Sequence, residues 1–582
     1  MGLKTMENLR ILLWAGFLMS LYFVYSQWTS DYAEEKRTSN SSPASTIMPS
    51  TPQLKQQTPS ASGNGTLFLS DSKPELYSLG QNERTNSEET PNNLVTLSND
   101  VLEIKINPKR GADVVGATLL GYFLSKDDTE NKVQLLSLNA NSYHYFQTGL
   151  LSTTREGRPE PNHQQSFSFT RASRNNDGSK SAVFSWGSDN IVVNKTYSLT
   201  PGSYEVKLTY EITNRGNNPY PYVQYTQIIK KDAKVERSMF DVETYSFDGG
   251  IIFNGESYEK LYPEDLVEKP IMASHQNGWF ANIKHHFVVA AIPAGEESFS
   301  YQATYDEGKS LEKVSAVGET TKTVFPGQTQ KEEMSFYIGP KLQSKLKKLR
   351  PGLERSVDYG RLSFLSKPLF WLLDKIHSIV GNWGLSIILV TLCIKLVFFR
   401  LTESSGKSMA KMRDLAPRLK AIQERYKEDK QAQSKATMEM YQKEGVNPLA
   451  GCWPMLVQIP FFIAFYWVLL ESVEIRQAPF FLWIQDLSSR DPYFILPLLM
   501  GAGMFFQQKL NPPPPDPMQA KMMNFLPVMF TGMFAFFPSG LVLYWFTNSL
   551  LSIAQQWRIN KKSGGKPGSK MLGGGGDTGV SK

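Results

Sequence analysis

Between Asn382 and Arg400 the chain reads NWGLSIILVTLCIKLVFFR. From Leu385 to Phe399 this run is apolar, holds no Gly or Pro, and carries one ionisable side chain, Lys395. Inside lipid, a helix is the only open-chain structure that satisfies its own backbone hydrogen bonds, so the run predicts a spanning helix. At 1.5 Å per residue, Lys395 then lies roughly 7 Å from Arg400 and about 18 Å from Trp383. A charge at that depth costs at least about 2.5 kcal/mol on insertion scales. Snorkelling to the nearer interface is one way to meet that cost. Helical side chains lean toward the N-terminus, however, which carries the ammonium away from Arg400 and toward Thr391, one turn along on the same face. The sharper reading is a lysine held in a wet, polar groove.

At 582 residues the chain exceeds one compact core. Residues 29–350 have a soluble composition, whereas residues 383–557 are largely apolar. The net charge is +7, with no long basic run interleaved with aromatics of the kind that binds nucleic acid. The two cysteines, Cys393 and Cys452, fall in or beside apolar runs and read as small packing residues rather than as a disulfide framework. Six histidines are scattered without an HExxH motif, and His285 and His286 sit in a strand-like run that suits a structural role. No metal and no cofactor is expected.

In chain order, residues 1–28 predict a transmembrane signal anchor. The apolar run Leu9 to Trp28 is long enough to span, and no small-x-small cleavage pattern follows it. Lys4 before it and Arg10 at its start favour a cytoplasmic N-terminus. Residues 29–93 turn to Ser, Thr, Pro, Asn and Gln, with no aromatic between Tyr32 and Phe68, and predict a flexible tether. Over residues 94–350 the period is two. Tyr204, Val206, Leu208, Tyr210 and Ile212 alternate with polar residues, as do Leu102, Ile104 and Ile106, and Phe299, Tyr301 and Ala303. Turn signals separate such runs, so an all-β sandwich is expected, on the outer side of the membrane because it follows the anchor. A short basic helix over Lys341 to Leu349, stopped by Pro351-Gly352, closes it.

Residues 362–381 place Leu362, Leu365, Leu369, Leu372, Leu373, Ile376 and Ile379 at helical spacing opposite charged residues, which suits a helix lying in the membrane interface. Residues 382–403 are the second span. Residues 404–448 are polar and basic, and predict a cytoplasmic helical hairpin around Glu428-Asp429. Residues 449–560 supply four more spans, about Gly451 to Leu470, Tyr493 to Gln508, Met522 to Phe537 and Gly540 to Trp557. Glu471 to Asp491 and the turn Phe537 to Gly540 suit the outer side; the proline-rich Asn511 to Pro517 and the basic tail 561–582 suit the cytoplasm. Six spans with both ends inside fit every connector.

No Asp or Glu sits at the centre of any span, so Lys395 lacks an acidic partner in the membrane. Its candidate neighbours are Thr391, Gln458 from the third span, and Thr547, Asn548 and Ser549 from the sixth; each one singly suits a helix-packing hydrogen bond. An ion-coupled transporter normally needs intramembrane carboxylates and often shows inverted repeats, and the chain has neither. A secondary transporter or channel for small solutes is therefore the alternative, and a structural anchor displaying the β-domain is a third class.

Seven stretches carry a resemblance: HSIVGNWG (377–384), SMAKMR (408–413), GVNPLAGCWPMLVQIPFF (445–462), RQAPFFLWIQDLSSRDPY (476–493), LPLLMG (496–501), DPMQAKMM (516–523) and FPSGLVLYWFTN (537–548). From about Leu362 to Trp557 the chain resembles a bacterial YidC-type membrane protein insertase. NGWFANIKHHFVVAAIP (277–293) extends the likeness into the β-domain, which is similar to the Gram-negative form. The resemblance implies a membrane α-helical fold of six transmembrane helices, five of them an insertase core around a hydrophilic groove open to cytoplasm and lipid, plus an all-β periplasmic sandwich. It implies a non-enzymatic chaperone and insertase of the bacterial inner membrane, active as a monomer. The groove holds the polar tail of a nascent membrane protein while its hydrophobic span leaves sideways, alone or beside the Sec translocon and without nucleotide hydrolysis. The ribosome, its targeting receptor or lipid headgroups are the partners open to the basic hairpin and tail.

Residue by residue, the family's groove arginine aligns with Lys395, which keeps the charge and loses the planar fork. Tyr544 and Trp545 stand at a paired aromatic site where a second tyrosine is common. The expected groove set is Lys395, Thr391, Gln458, Tyr544, Trp545, Thr547 and Asn548. Phe461, Phe462, Met529, Phe530 and Phe534 are read as a greasy exit between the third and fifth spans, with plain lipid-facing surface as the other reading.

Overall fold

The structure is a computed structural model describing residues 93–126, 128–139, 141–153, 160–188, 190–231, 246–293, 297–445, 453–510 and 517–562. The chain divides into two units, residues 1–85 and 86–582. The anchor expected over 1–28, nearly all of the tether 29–93, most of the proline-rich turn and most of the tail 561–582 lie outside the described residues.

Period-two sequence becomes two antiparallel sheets, of ten and nine strands among the described residues. Strand Glu205–Asn214 shows why: Val206, Leu208, Tyr210 and Ile212 are all fully buried, while the residues between them face outward. Leu102, Ile104 and Ile106 do the same at the other end of the domain. In one sheet the central strand Tyr220–Lys231 pairs with Tyr143–Ser152 on one side and Leu311–Gly318 on the other. In the second sheet, Thr329–Pro340 lies between Phe287–Pro293 and Glu205–Asn214, with Leu208 opposite Met334 and Val206 opposite Phe336. The inner faces of both sheets share one apolar core, which continues through Leu346, Leu353 and Tyr359 into the helices.

Eleven α-helices occur among the described residues. Two are short and belong to the sandwich: α1 (Pro263–Glu268) and α2 (Gln343–Leu349). Nine follow: α3 (Ser363–Val380), α4 (Trp383–Val397), α5 (Phe399–Asp414), α6 (Ala416–Arg425), α7 (Lys430–Lys443), α8 (Trp453–Glu471), α9 (Ile495–Lys509), α10 (Pro517–Phe534) and α11 (Ser539–Lys562). Helix α3 buries Ser366, Leu369, Phe370 and Leu373, a helical stripe, and leaves Phe364, Trp371 and Ile379 exposed. Ile379, expected on the apolar face, is exposed near the end of the helix, where Gly381 takes a left-handed conformation and donates its N–H to the His377 carbonyl. Asn382 caps α4, its side chain accepting from Leu385 N at 2.9 Å.

The single helix expected over 382–403 is two. It breaks at Phe398, and α4 and the first part of α5 meet at 63°. No Gly or Pro marks this break. No single described helix is long and apolar enough to cross a membrane; the bent pair α4 and α5 passes that test together by length and composition. The hairpin also begins later than expected. Helix α5 runs to Asp414, and Pro417, which has no N–H to donate and clashes with a preceding turn, starts a new helix, α6. Asp429 then caps α7, accepting from Gln431 N and Ala432 N.

Helix α11 packs against α4 and α9, α3 against α4 and α8, and α10 against α9. Gly503 of α9 lies beside Ser549 of α11, where a Cβ would make ordinary contact at 3.5 Å from Ser549 Cβ. The sandwich joins the helices at the end of α8. Lys341 Nζ lies 2.8 Å from Glu471 Oε2, both side chains being buried, and Ser246 Oγ donates to Glu471 Oε1 at 2.8 Å. His285 and His286 form the turn between strands Trp279–Lys284 and Phe287–Pro293, and their rings stack at 3.7 Å. His285 bonds the Leu470 carbonyl at 3.0 Å, and Lys341 N donates to the His286 carbonyl at 2.8 Å. Arg476 and Gln477 reach the Phe123 carbonyl at 2.7 and 3.1 Å, while Lys126 returns bonds to the carbonyls of Gln477 and Gln485.

Candidate functional site

Three helices bring side chains to one level. Measured at 1.5 Å per residue from their ends nearest the sandwich, Lys395 lies about 18 Å along α4, Ser552 about 20 Å along α11 and Gln458 about 20 Å along α8. Lys395 is half-buried, and its Nζ donates to Ser552 Oγ at 2.8 Å. Ser552 Oγ donates in turn to the Asn548 carbonyl one turn back, at 2.7 Å. Asn548 Oδ1 accepts from Gln458 Nε2 at 2.6 Å. A polar chain Lys395–Ser552–Asn548–Gln458 thus crosses from α4 through α11 to α8. Beside it a small recess, partly open to solvent, is lined by Ile394, Lys395, Phe398, Leu401, Thr402, Val457 and Gln458. Among the described residues no carboxylate forms an ion pair with Lys395. The ammonium is therefore neither stranded among hydrocarbon nor free in bulk solvent.

Other expected groove residues lie elsewhere. Thr391 is 2% exposed and donates its hydroxyl to the Ile387 carbonyl of its own helix at 2.7 Å, so it does not face the recess. Thr547 and Ser549 are buried too, Ser549 against α9. Tyr544 is fully buried and packs on Phe465 at 4.8 Å and Phe462 at 6.1 Å. Trp545 is half-buried at the centre of an aromatic cluster, with Phe462 edge-on at 4.7 Å, Phe534 at 5.4 Å and Phe530 at 6.3 Å. Phe534 is buried inside that cluster and Met529 is 44% exposed. Phe461 turns the other way, to Phe398 at 5.0 Å, and so stands beside the recess rather than with the cluster.

Ser552 was not among the residues expected from sequence. The signal for it was present: Tyr544, Asn548, Ser552 and Gln555 fall at helical spacing on one face of α11, and Ser552 matches Lys395 in depth.

The end of the helices nearest the sandwich is tied together by backbone contacts. Ser539 N donates to the Ser489 carbonyl at 2.7 Å and Gly540 N to the Leu487 carbonyl at 2.9 Å, so the α10–α11 turn is pinned to the α8–α9 connector.

A family model described as "60Kd inner membrane protein" matches residues 375–566, and one described as "YidC periplasmic domain" matches residues 94–372. The chain belongs to the YidC family. A membrane protein insertase YidC from Thioalkalivibrio sulfidiphilus (strain HL-EbGR7) is 41% identical over 576 residues, covering 97% of this chain and 100% of the relative. The YidC of Ruthia magnifica subsp. Calyptogena magnifica is 45% identical over 474 residues, covering 81% of this chain and 85% of the relative. A crystal structure of an active YidC insertase with its first transmembrane domain resolved aligns at 18% identity, over 80% of this chain and 92% of that one, with a TM-score of 0.38. Within this YidC-family chain, the boundary between the two matched models falls in α3, close to where the sandwich ends and the helices begin.

Proposed function

We propose that this chain is a membrane protein insertase and chaperone of the bacterial inner membrane. It takes the polar tail of a nascent membrane protein into the recess beside Lys395 and releases the hydrophobic span sideways past α8 and α10. The observation that carries this reading is the half-buried ammonium of Lys395, held by a neutral hydroxyl and, among the described residues, with no carboxylate to neutralise it. A cation so placed is available to an acidic residue in a passing tail, and in a hydrated groove the attraction is modest. Trp545 and the rings of Phe462, Phe530 and Phe534 give the hydrophobic span an apolar wall beside that site.

In this reading the chain crosses the membrane six times with both termini in the cytoplasm. Three contacts support that arrangement. The sandwich, the α8–α9 connector and the α10–α11 turn all meet at one end of the helices. The basic helices α6 and α7 carry Lys420, Arg425, Lys435 and Lys443, which the positive-inside rule assigns to the cytoplasm, where a ribosome, a targeting receptor or headgroups are in reach. The exposed Phe364 and Trp371 of α3 rest in the outer interface. The chain acts as a monomer, alone or beside the Sec translocon.

The test is insertion in cells depleted of their own insertase. Lys395→Ala lowers insertion of substrates with acidic translocated tails, and Lys395→Arg retains it. Full activity of Lys395→Ala on such substrates refutes the role given to the charge.

A further inference from the structure

We propose that Ser552 is the positioning residue for Lys395, and that it sets the groove's preference for acidic over neutral tails. The inference rests on the groove reading above and adds a residue to it.

A serine hydroxyl has one proton to donate and lone pairs with which to accept. Ser552 donates its proton to the Asn548 carbonyl at 2.7 Å. Toward the recess it can therefore only accept, which matches the ammonium of Lys395 at 2.8 Å. The same polarity makes it useless as a ligand for an incoming carboxylate, so Ser552 holds the cation without competing for the cargo. An ammonium has three donors. One goes to Ser552, and the others stay available to an acidic residue of the tail.

The hold is itself braced. Asn548, whose carbonyl fixes the Ser552 hydroxyl, is tied through its side chain to Gln458 of α8 at 2.6 Å. Lysine is a flexible point charge with no planar fork to orient it. Lys395 sits in the last turn of α4, where a loose side chain turns readily toward the interface. The bond to Ser552 keeps the charge at the level of Gln458 and the recess instead.

The experiment uses the full-length chain in insertase-depleted cells and one single-span substrate in two forms, with aspartates or asparagines in its translocated tail. The readout is the ratio of acidic-tail to neutral-tail insertion. Ser552→Ala lowers that ratio about threefold to tenfold, the scale of one lost hydrogen bond in net terms. Ser552→Thr, which keeps the hydroxyl, restores it. In a Lys395→Ala background Ser552→Ala lowers it no further. An unchanged ratio in Ser552→Ala, while Lys395→Ala lowers it, overturns this inference and leaves the groove reading standing. An additional loss from Ser552→Ala in the Lys395→Ala background also overturns it, since Ser552 then acts on something else. An unchanged ratio in Lys395→Ala defeats the reading of the charge itself. Poor accumulation of Ser552→Ala alone does not rescue the proposal, because Ser552→Thr must still match the wild-type ratio.

Discussion

Lys341 and Glu471 meet across the boundary between the sandwich and the helices, 2.8 Å apart with both side chains out of water. Lys341 follows the last residue of strand Thr329–Pro340, and Glu471 is the last residue of α8. Removing one partner strands the other as a buried charge. Lys341→Ala is therefore expected to destabilise the protein by about 3–5 kcal/mol, read as a lowered unfolding midpoint in detergent. Replacing both at once, Lys341→Met with Glu471→Gln, costs less than either single loss. A double replacement as damaging as the sum of the two singles contradicts the pairing.

The pair also distinguishes two deletions. One that removes residues 60–330 keeps Lys341, whereas one extended through residue 341 leaves Glu471 without its cation. The shorter deletion is expected to accumulate and retain core insertion, and the longer one to be degraded, as immunoblots of membrane fractions show. Equal amounts of both place the stability of α8 elsewhere.

Gly384, near the start of α4, faces Phe480 of the α8–α9 connector so closely that a Cβ would sit 2.0 Å from the ring. Gly384→Ala is expected to cost about 1–3 kcal/mol through overpacking, and Phe480→Leu in the same chain to recover part of it. Gly381 has nothing within 4 Å of its Cβ position and bears only the strain of its left-handed φ. Gly381→Ala should cost about 1–2 kcal/mol, by backbone conformation alone, and gain nothing from Phe480→Leu. Thermal unfolding of the four variants, each glycine replacement with and without Phe480→Leu, separates clash from strain.

Crosslinking tests the recess, through Phe398, and the aromatic cluster, through Trp545. A photoreactive residue in place of Phe398 or Trp545 is expected to capture a stalled nascent chain, whereas one in place of Thr391 is not, because Thr391 is buried against neighbouring helices. Equal yields from all three positions contradict the arrangement.

Glu474, in the α8–α9 connector, titrates. Burial, with Asp374 adding to it, pushes its carboxyl from 4.5 up to about 7. Its Oε2 has no hydrogen-bond partner among the described residues. The native state therefore holds this proton more tightly than the unfolded chain, so the associated stability is present at low pH and is lost as pH rises from about 5 to 7. Glu474→Gln is expected to flatten that slope and to be more stable at pH 8, by on the order of 1–3 kcal/mol. Parallel stability–pH curves for wild type and variant rule the effect out.

Much of the fold was legible because burial imposes a period. The alternation over Tyr204 to Ile212 reports its own inner face, and every apolar member of it is buried. Lys395 stood out for a related reason, a single charge in an apolar run. What sequence could not show was pairing between distant segments. Ser552 becomes visible only when depths along two separate helices are compared. Thr391 lies on the expected helix face, but its hydroxyl had the Ile387 carbonyl within reach and took it. Glu471 reads from sequence as the first residue of the connector Glu471 to Asp491; that it lies buried against Lys341 depends on how the sandwich is set on the helices. The bend at Phe398 has no Gly or Pro to announce it.

Helix α8 joins the rest unevenly. It packs against α3, whereas toward α11 and α4 it is held largely by side chains: one amide pair, Gln458 to Asn548, and a few ring contacts such as Phe462 on Trp545. Sliding α8 away from α11 by a few ångströms therefore breaks no backbone hydrogen bond and melts no turn. Each contact given up is worth about 1 kcal/mol, and a passing apolar helix carries enough rings and methyl groups to replace most of them as it goes. In the proposed reading, the wall nearest the cargo is thus a seam that trades partners, and α4, α9 and α11, packed on one another, need not move for a span to leave.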